Sequence, residues 1–171
     1  MSCWCYILTN VLCYFLFFSQ CFCDLDISKE YKIKCESGDC NGFLVPQQPR
    51  STIHIPFLRT MISVARAAKW KMVKNTNNPN YHNCYYLRNN GRGMFPQKFW
   101  SHQPLAIEDI NNRKKEISFQ IYMKGGCYKL KVCGRPTSFL GIRTPKSLND
   151  KRFARIVNFE WKSCWGFVPV N

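Results

Sequence analysis

Charge is missing from the first 23 residues. This stretch holds no Lys, Arg, Asp or Glu, while the rest of the 171-residue chain carries all 25 basic and all 10 acidic side chains. An apolar run from about Trp4 to Phe18 is followed by Cys21 and Cys23, small residues at the −3 and −1 positions of a cut before Asp24. That is the pattern of a secretory signal. Residues 1–23 are expected to be a signal peptide and 24–171 a single basic extracellular domain. The rival is an uncleaved signal-anchor, since no Lys or Arg precedes the run and a spanning helix needs about 20 residues. Thr9, Asn10, Ser19 and Gln20 interrupt the apolarity, and Asp24, Asp26 and Glu30 balance Lys29, Lys32 and Lys34, so no basic cluster follows. Cleavage is the preferred reading.

Other absences narrow the function. The chain has no G-x-S-x-G, no H-E-x-x-H, no P-loop and no glycine-rich dinucleotide turn, which removes the motif-bearing hydrolases, zinc proteases and nucleotide enzymes. It has no Asn-x-Ser/Thr sequon, so N-glycosylation is not expected. No internal repeat or low-complexity tract is apparent, and no second apolar run is long enough to span a bilayer. Catalysis could draw only on His54, His82 and His102. A metal-free ribonuclease needs a base, an acid and a phosphate-holding cation, and His54 with His82 or His102 and Lys69 would supply them. Any basic protein with three histidines would supply them equally. No catalytic residue, metal ligand or cofactor is therefore assigned, and a small secreted ribonuclease or a membrane-active defence protein remains only the alternative function.

Acid is also missing from the middle of the chain. Between Asp39 and Glu108 there is none, while Arg50, Arg59, Arg66, Lys69, Lys71, Lys74, Arg88, Arg92 and Lys98 accumulate. A second acid-free stretch, between Glu116 and Asp150, adds Lys124, Lys129, Lys131, Arg135, Arg143 and Lys146. The net charge of +15 exceeds what solubility requires and attracts polyanions over a Debye length of roughly 8–10 Å. The expected function is that of a secreted, basic, non-enzymatic binding protein: an extracellular ligand, effector or toxin-like factor. Its expected partner is a polyanion such as a sulfated glycosaminoglycan, or an acidic receptor surface. Nucleic acid and an anionic membrane surface carry the same charge and remain open.

What is present suggests an α+β fold, a small disulfide-stapled antiparallel sheet with one packed amphipathic helix. Phe57, Met61, Val64, Ala65, Ala68 and Met72 fall on one helical stripe after Pro56. On that projection Arg59, Arg66 and Lys74 share the opposite face with Trp70, near Lys69. An indole there would stack on a sugar or base, or else pack under a neighbouring loop. Arg59, Arg66, Lys69, Trp70 and Lys74 form the first expected polyanion-binding patch, and Arg88 and Arg92 beside Tyr85 and Tyr86 form the second. Farther on, Ile117–Met123 and Tyr128–Val132 alternate about Gly125-Gly126, a hairpin that should set Ile121 against Leu130 and Phe119 against Val132. Phe153–Trp161 is a further expected strand, with weaker ones at Tyr31–Cys35, Thr52–Ile55 and Cys84–Leu87. The run from Asn75 to Asn80 is expected to be a surface loop.

Five of the eleven cysteines lie in the leader, leaving Cys35, Cys40, Cys84, Cys127, Cys133 and Cys164. An even number in an oxidising compartment implies disulfides. Cys127 and Cys133 sit six residues apart on one extended strand, roughly 20 Å at ~3.3 Å per residue, too far to bond. If Cys35 and Cys40 close on Glu36-Ser37-Gly38-Asp39, Cys84 and Cys164 must take Cys127 and Cys133 in one order or the other. The spacings lack the C-x-G-x-C core of cystine-knot growth factors and do not match Kunitz, EGF-like or three-finger frameworks. Zinc is not expected, because the six contain no C-x-x-C. Unreduced peptide mapping with N-terminal sequencing of secreted material should return a start at or near Asp24, three disulfides and no alkylatable thiol. Six free thiols in native protein would show that the chain does not mature in an oxidising compartment.

Overall fold

The computed structural model describes residues 25–37, 40, 42–47, 57–61, 67–81, 83–96, 105–109, 116–142 and 153–170. The described residues form twelve strands: β1 (Glu30–Cys35), β2 (Gly42–Gln47), β3 (Phe57–Met61), β4 (Lys69–Lys74), β5 (Cys84–Arg88), β6 (Arg92–Pro96), β7 (Leu105–Asp109), β8 (Ser118–Lys124), β9 (Cys127–Val132), β10 (Phe139–Ile142), β11 (Ala154–Val157) and β12 (Trp165–Pro169). Six of them close into an antiparallel barrel in the order β1, β4, β5, β8, β9, β12, with β12 returning to β1. The other six form the hairpins β2–β3, β6–β7 and β10–β11. These hairpins meet one another through β3, β7 and β11 as a three-sided cap.

This architecture corrects the α+β expectation: among the described residues there is no α-helix, only a 3-10 turn at Glu160–Lys162. The expected helix after Pro56 is instead β3 and β4, with residues 62–66 outside the described set. In β4 exposure alternates, with Trp70 and Met72 buried and Lys69 and Lys71 exposed. The i, i+4 stripe ended on Met72, but Met72 also belongs to a period-two pattern with Trp70. Helix propensity is a weak prior. Pairing on both sides, to β1 and to β5, satisfies the β4 backbone and decides for the strand.

No repeat is legible in the sequence, yet the registers reveal one. Within three successive four-strand units, Tyr31 pairs with Trp70, Tyr85 with Phe119 and Tyr128 with Trp165. Between units, Met72 pairs with Leu87, Ile121 with Leu130 and Phe167 with Ile33. The equivalent residues Ile33, Leu87 and Leu130 are all fully buried, as are Trp70, Phe119 and Trp165. Leu44, Met94 and Leu140 add a third buried trio from the hairpins. The tyrosine recurs in all three units; elsewhere only the apolar character repeats, because a core requires volume and not identity.

The trio from the hairpins presents backbone carbonyls that must find donors. Trp70 Nε1 donates to the Leu44 carbonyl at 3.0 Å and Trp165 Nε1 to that of Leu140 at 2.9 Å. Phe119 has no N–H to offer, and in its unit the backbone N–H of Ile117 donates to the Met94 carbonyl at 2.8 Å. The β8–β9 hairpin has the expected register, Ile121 against Leu130 and Phe119 against Val132. Gly125 and Gly126 supply its turn at φ of 60° and 79°, values that favour glycine. Strands at Glu30–Cys35 and Cys84–Arg88 also match expectation. Phe153–Trp161 shortens to Ala154–Val157, and Thr52–Ile55 lies outside the described residues.

Three disulfides staple this frame. Cys35–Cys40 closes the turn after β1, with Cα atoms 5.7 Å apart. Cys84–Cys133 and Cys127–Cys164, at 6.3 and 5.3 Å, are one of the two orders left open above. They tie β5 to the end of β9 and β9 to the entry of β12. Replacing Trp165 by Phe should strand the Leu140 carbonyl, at about 1–3 kcal/mol. The denaturation midpoint should fall with the slope unchanged, and an unmoved midpoint would show that this hydrogen bond contributes nothing.

Candidate polyanion interface

The alternation that buries Tyr31 and Ile33 turns Lys32 and Lys34 outward on β1, and burial of Trp70 and Met72 does the same for Lys69 and Lys71 on β4. The register sets Lys32 directly against Lys69 and Glu30 against Lys71. Lys69 and Lys71 are exposed and Lys32 is half-buried. On its other side Lys32 faces Val168 of β12, itself 42% exposed. Like charges directly opposite in a sheet are destabilising by a few tenths to about 1 kcal/mol. Among the described residues, none of Lys32, Lys69 and Lys71 forms an ion pair; Lys34 reaches Glu36 at 3.9 Å.

The second unit treats its outward cations differently. Arg88, equivalent to Lys34, is held by Glu116, with Nε to Oε1 at 2.9 Å and Nη2 to Oε2 at 2.8 Å. Glu116 is almost fully buried there, and a Cβ at Gly93 would collide with its carboxylate. Glu160 of the third unit accepts from Tyr122 Oη and from Lys124 Nζ on β8 of the second, both at 2.7 Å. Each glutamate lies in the segment leading into the last strand of its unit. The corresponding segment of the first unit, residues 62–68, contains no acidic residue. Among the described residues, Lys32, Lys69 and Lys71 therefore form no ion pair.

The expected patch residues scatter. Lys69 belongs to the cluster. Trp70, 1% exposed and bonded to Leu44, is withdrawn from any ligand, which corrects its placement on a cationic face. Lys74 is exposed at the far end of β4, opposite Tyr85. Arg88 is engaged by Glu116 and lies 5.2 Å from the Tyr86 ring centre. Arg92 is exposed at the start of β6. Arg59 lies on β3 with its side chain outside the described set, and Arg66, His54, His82 and His102 are outside it altogether. Among the described residues, no group of three His, Cys, Asp or Glu could hold a metal.

Lys32 and Lys71 were not singled out from the sequence. Linear counting cancelled Lys32 against nearby acids, although its alternation with Tyr31 and Ile33 was the signal. Also missed was the surface turn after β11, where Phe159 is 55% and Trp161 70% exposed. Their rings lie 6.1 Å apart at 35°, with the Lys162 ammonium 5.5 and 4.9 Å from the two ring centres.

No protein-family model and no curated protein matches the sequence. A crystal structure described as "BEL beta-trefoil apo crystal form 3" shares the fold, with a TM-score of 0.55 over 83% of this chain and 93% of that one. The barrel, its three-hairpin cap and the threefold register make this chain β-trefoil-like. At 12% identity the likeness extends to the fold alone. The three disulfides are compatible with an extracellular protein.

The contacts of Glu160 give its unit a pH dependence. Lys124 first, then Tyr122, hold its carboxyl below the ordinary value of 4.5, against a smaller opposing effect of burial. Burial first, then the Glu160 hydrogen bond, pushes the Tyr122 hydroxyl up. A depressed carboxyl contributes stability that is present above pH 4.5 and lost as pH falls through the folded-state value. Tyr122→Phe should therefore be less stable than wild type at pH 7, with the gap narrowing toward pH 3. A gap independent of pH in denaturation titrations would separate Glu160 from the effect.

Proposed function

We propose that this chain is a secreted, non-enzymatic binding protein that takes a polyanion, such as a sulfated glycosaminoglycan, across Lys32, Lys69 and Lys71. Lys34 flanks the cluster. The observation that carries this reading is the facing pair Lys32 and Lys69, beside Lys71, none of which forms an ion pair among the described residues. Glu116 and Glu160 instead each hold a cation of the second unit, Arg88 and Lys124. Repulsion between facing lysines is relieved when a sulfate or phosphate bridges them, so the ligand gains what the free protein lacks. The net charge of +15 steers the encounter.

On a heparin column the wild type should elute above physiological salt. A Lys32→Gln/Lys69→Gln/Lys71→Gln variant should elute earlier, with a shallower dependence of affinity on salt by about 0.7–0.9 in log–log slope per lost contact, by analogy with phosphate contacts. A control at Lys74 and Arg92 should move less. Coincident elution of the triple variant and wild type would remove the site.

A further inference from the structure

The connection from β11 to β12 carries two aromatic rings that the core does not use. Trp165 already fills the interior of this unit and bonds to Leu140, whereas Phe159 and Trp161 stand 55% and 70% exposed. The turn is nevertheless firmly held. Lys162 N donates to the Phe159 carbonyl at 3.2 Å and Ser163 N to that of Glu160 at 2.9 Å. Glu160 is tied to Tyr122 and Lys124 on β8, and Cys164 is bonded to Cys127. Four residues before Trp165 stands Trp161; the same offset from Trp70 and Phe119 gives Arg66 and Lys115. Only the third unit puts an aromatic residue there.

We infer that the turn Phe159–Lys162 docks the protein on an anionic lipid bilayer, seating Trp161 and Phe159 at the boundary between headgroups and acyl chains. Exposed indole and phenyl rings on a rigid turn suit that boundary, where one side is apolar and the other wet. The Lys162 ammonium, lodged against both rings, keeps its stem with them while its charge meets headgroup phosphate. The chain's net charge of +15 draws it to anionic lipid and not to a neutral surface. The site lies on β11–β12, apart from the lysines of β1 and β4, and so extends beyond the polyanion reading.

Trp161 reports on its own seating, because subtracting the emission of Trp161→Phe removes that of the other four tryptophans of the chain, of which Trp70 and Trp165 are buried. With vesicles of phosphatidylserine and phosphatidylcholine, this component should shift to the blue, lose access to acrylamide and be quenched by brominated acyl chains. Pure phosphatidylcholine should give a weaker response. Phe159→Ser/Trp161→Ser should lower partitioning onto the anionic vesicles by roughly tenfold, since such binding scales with buried apolar area, while its heparin elution stays in place. A Trp161 component unchanged by vesicles, or one that moves only with soluble oligosaccharide, would overturn the proposal. Equal partitioning of the double-serine variant, confirmed folded by circular dichroism, would overturn it too.

Discussion

The pairing of β12 with β1 turns a sheet into a barrel, and the rest of the structure depends on it. Five consecutive residue pairs, from Tyr31 with Pro169 to Cys35 with Trp165, join the two ends of the described chain. Without them β1 and β12 would each present a row of unpaired backbone groups, open to water and to other chains. The seam is also packed. Phe167 meets Tyr31 and Tyr128 edge to face, at 5.6 and 5.1 Å, linking β1, β12 and β9 around one ring. Closure forces inward residues onto a common axis, which is why equivalent apolar layers recur in each unit.

Near-threefold symmetry makes the departures from it informative. A core can exchange Trp for Phe if another donor reaches the orphaned carbonyl, and Ile117 does so in the middle unit. Surface positions have no such obligation, and there the units diverge. Glu116 neutralises Arg88, Glu160 gathers Tyr122 and Lys124, and the segment leading into β4 of the first unit has no acid to contribute. Among the described residues, Lys32, Lys69 and Lys71 are thereby left without an ion pair. Aromatic exposure is concentrated in the third unit, at Phe159 and Trp161.

Period-two patterns without competition were legible: β1, β5 and the β8–β9 hairpin appear in the sequence with their strand assignments, and the hairpin with its register. The segment after Pro56 failed because its apolar residues fit two periods over a short window, and neighbouring strands settled the choice. Lys69 was found as part of the cationic surface, but Lys32 and Lys71 were not, since partners across a barrel lie far apart in sequence. Trp70 was misplaced for the same reason, as a helical projection reverses the face that a strand presents.

The sequence by itself determined the inventory. It set the excess of positive charge, the acid-free middle, the uncharged N-terminal stretch, the six cysteines after it and the exclusion of a Cys127–Cys133 bond. These follow from residue type, parity and the length of an extended chain, none of which needs a fold. Only the tertiary structure decided which cysteines meet, which tryptophans are buried, which lysines face one another and which have a glutamate within reach. Those are relations between residues tens of positions apart. Barrel closure and cross-strand register fix them, and local periodicity carries no information about either.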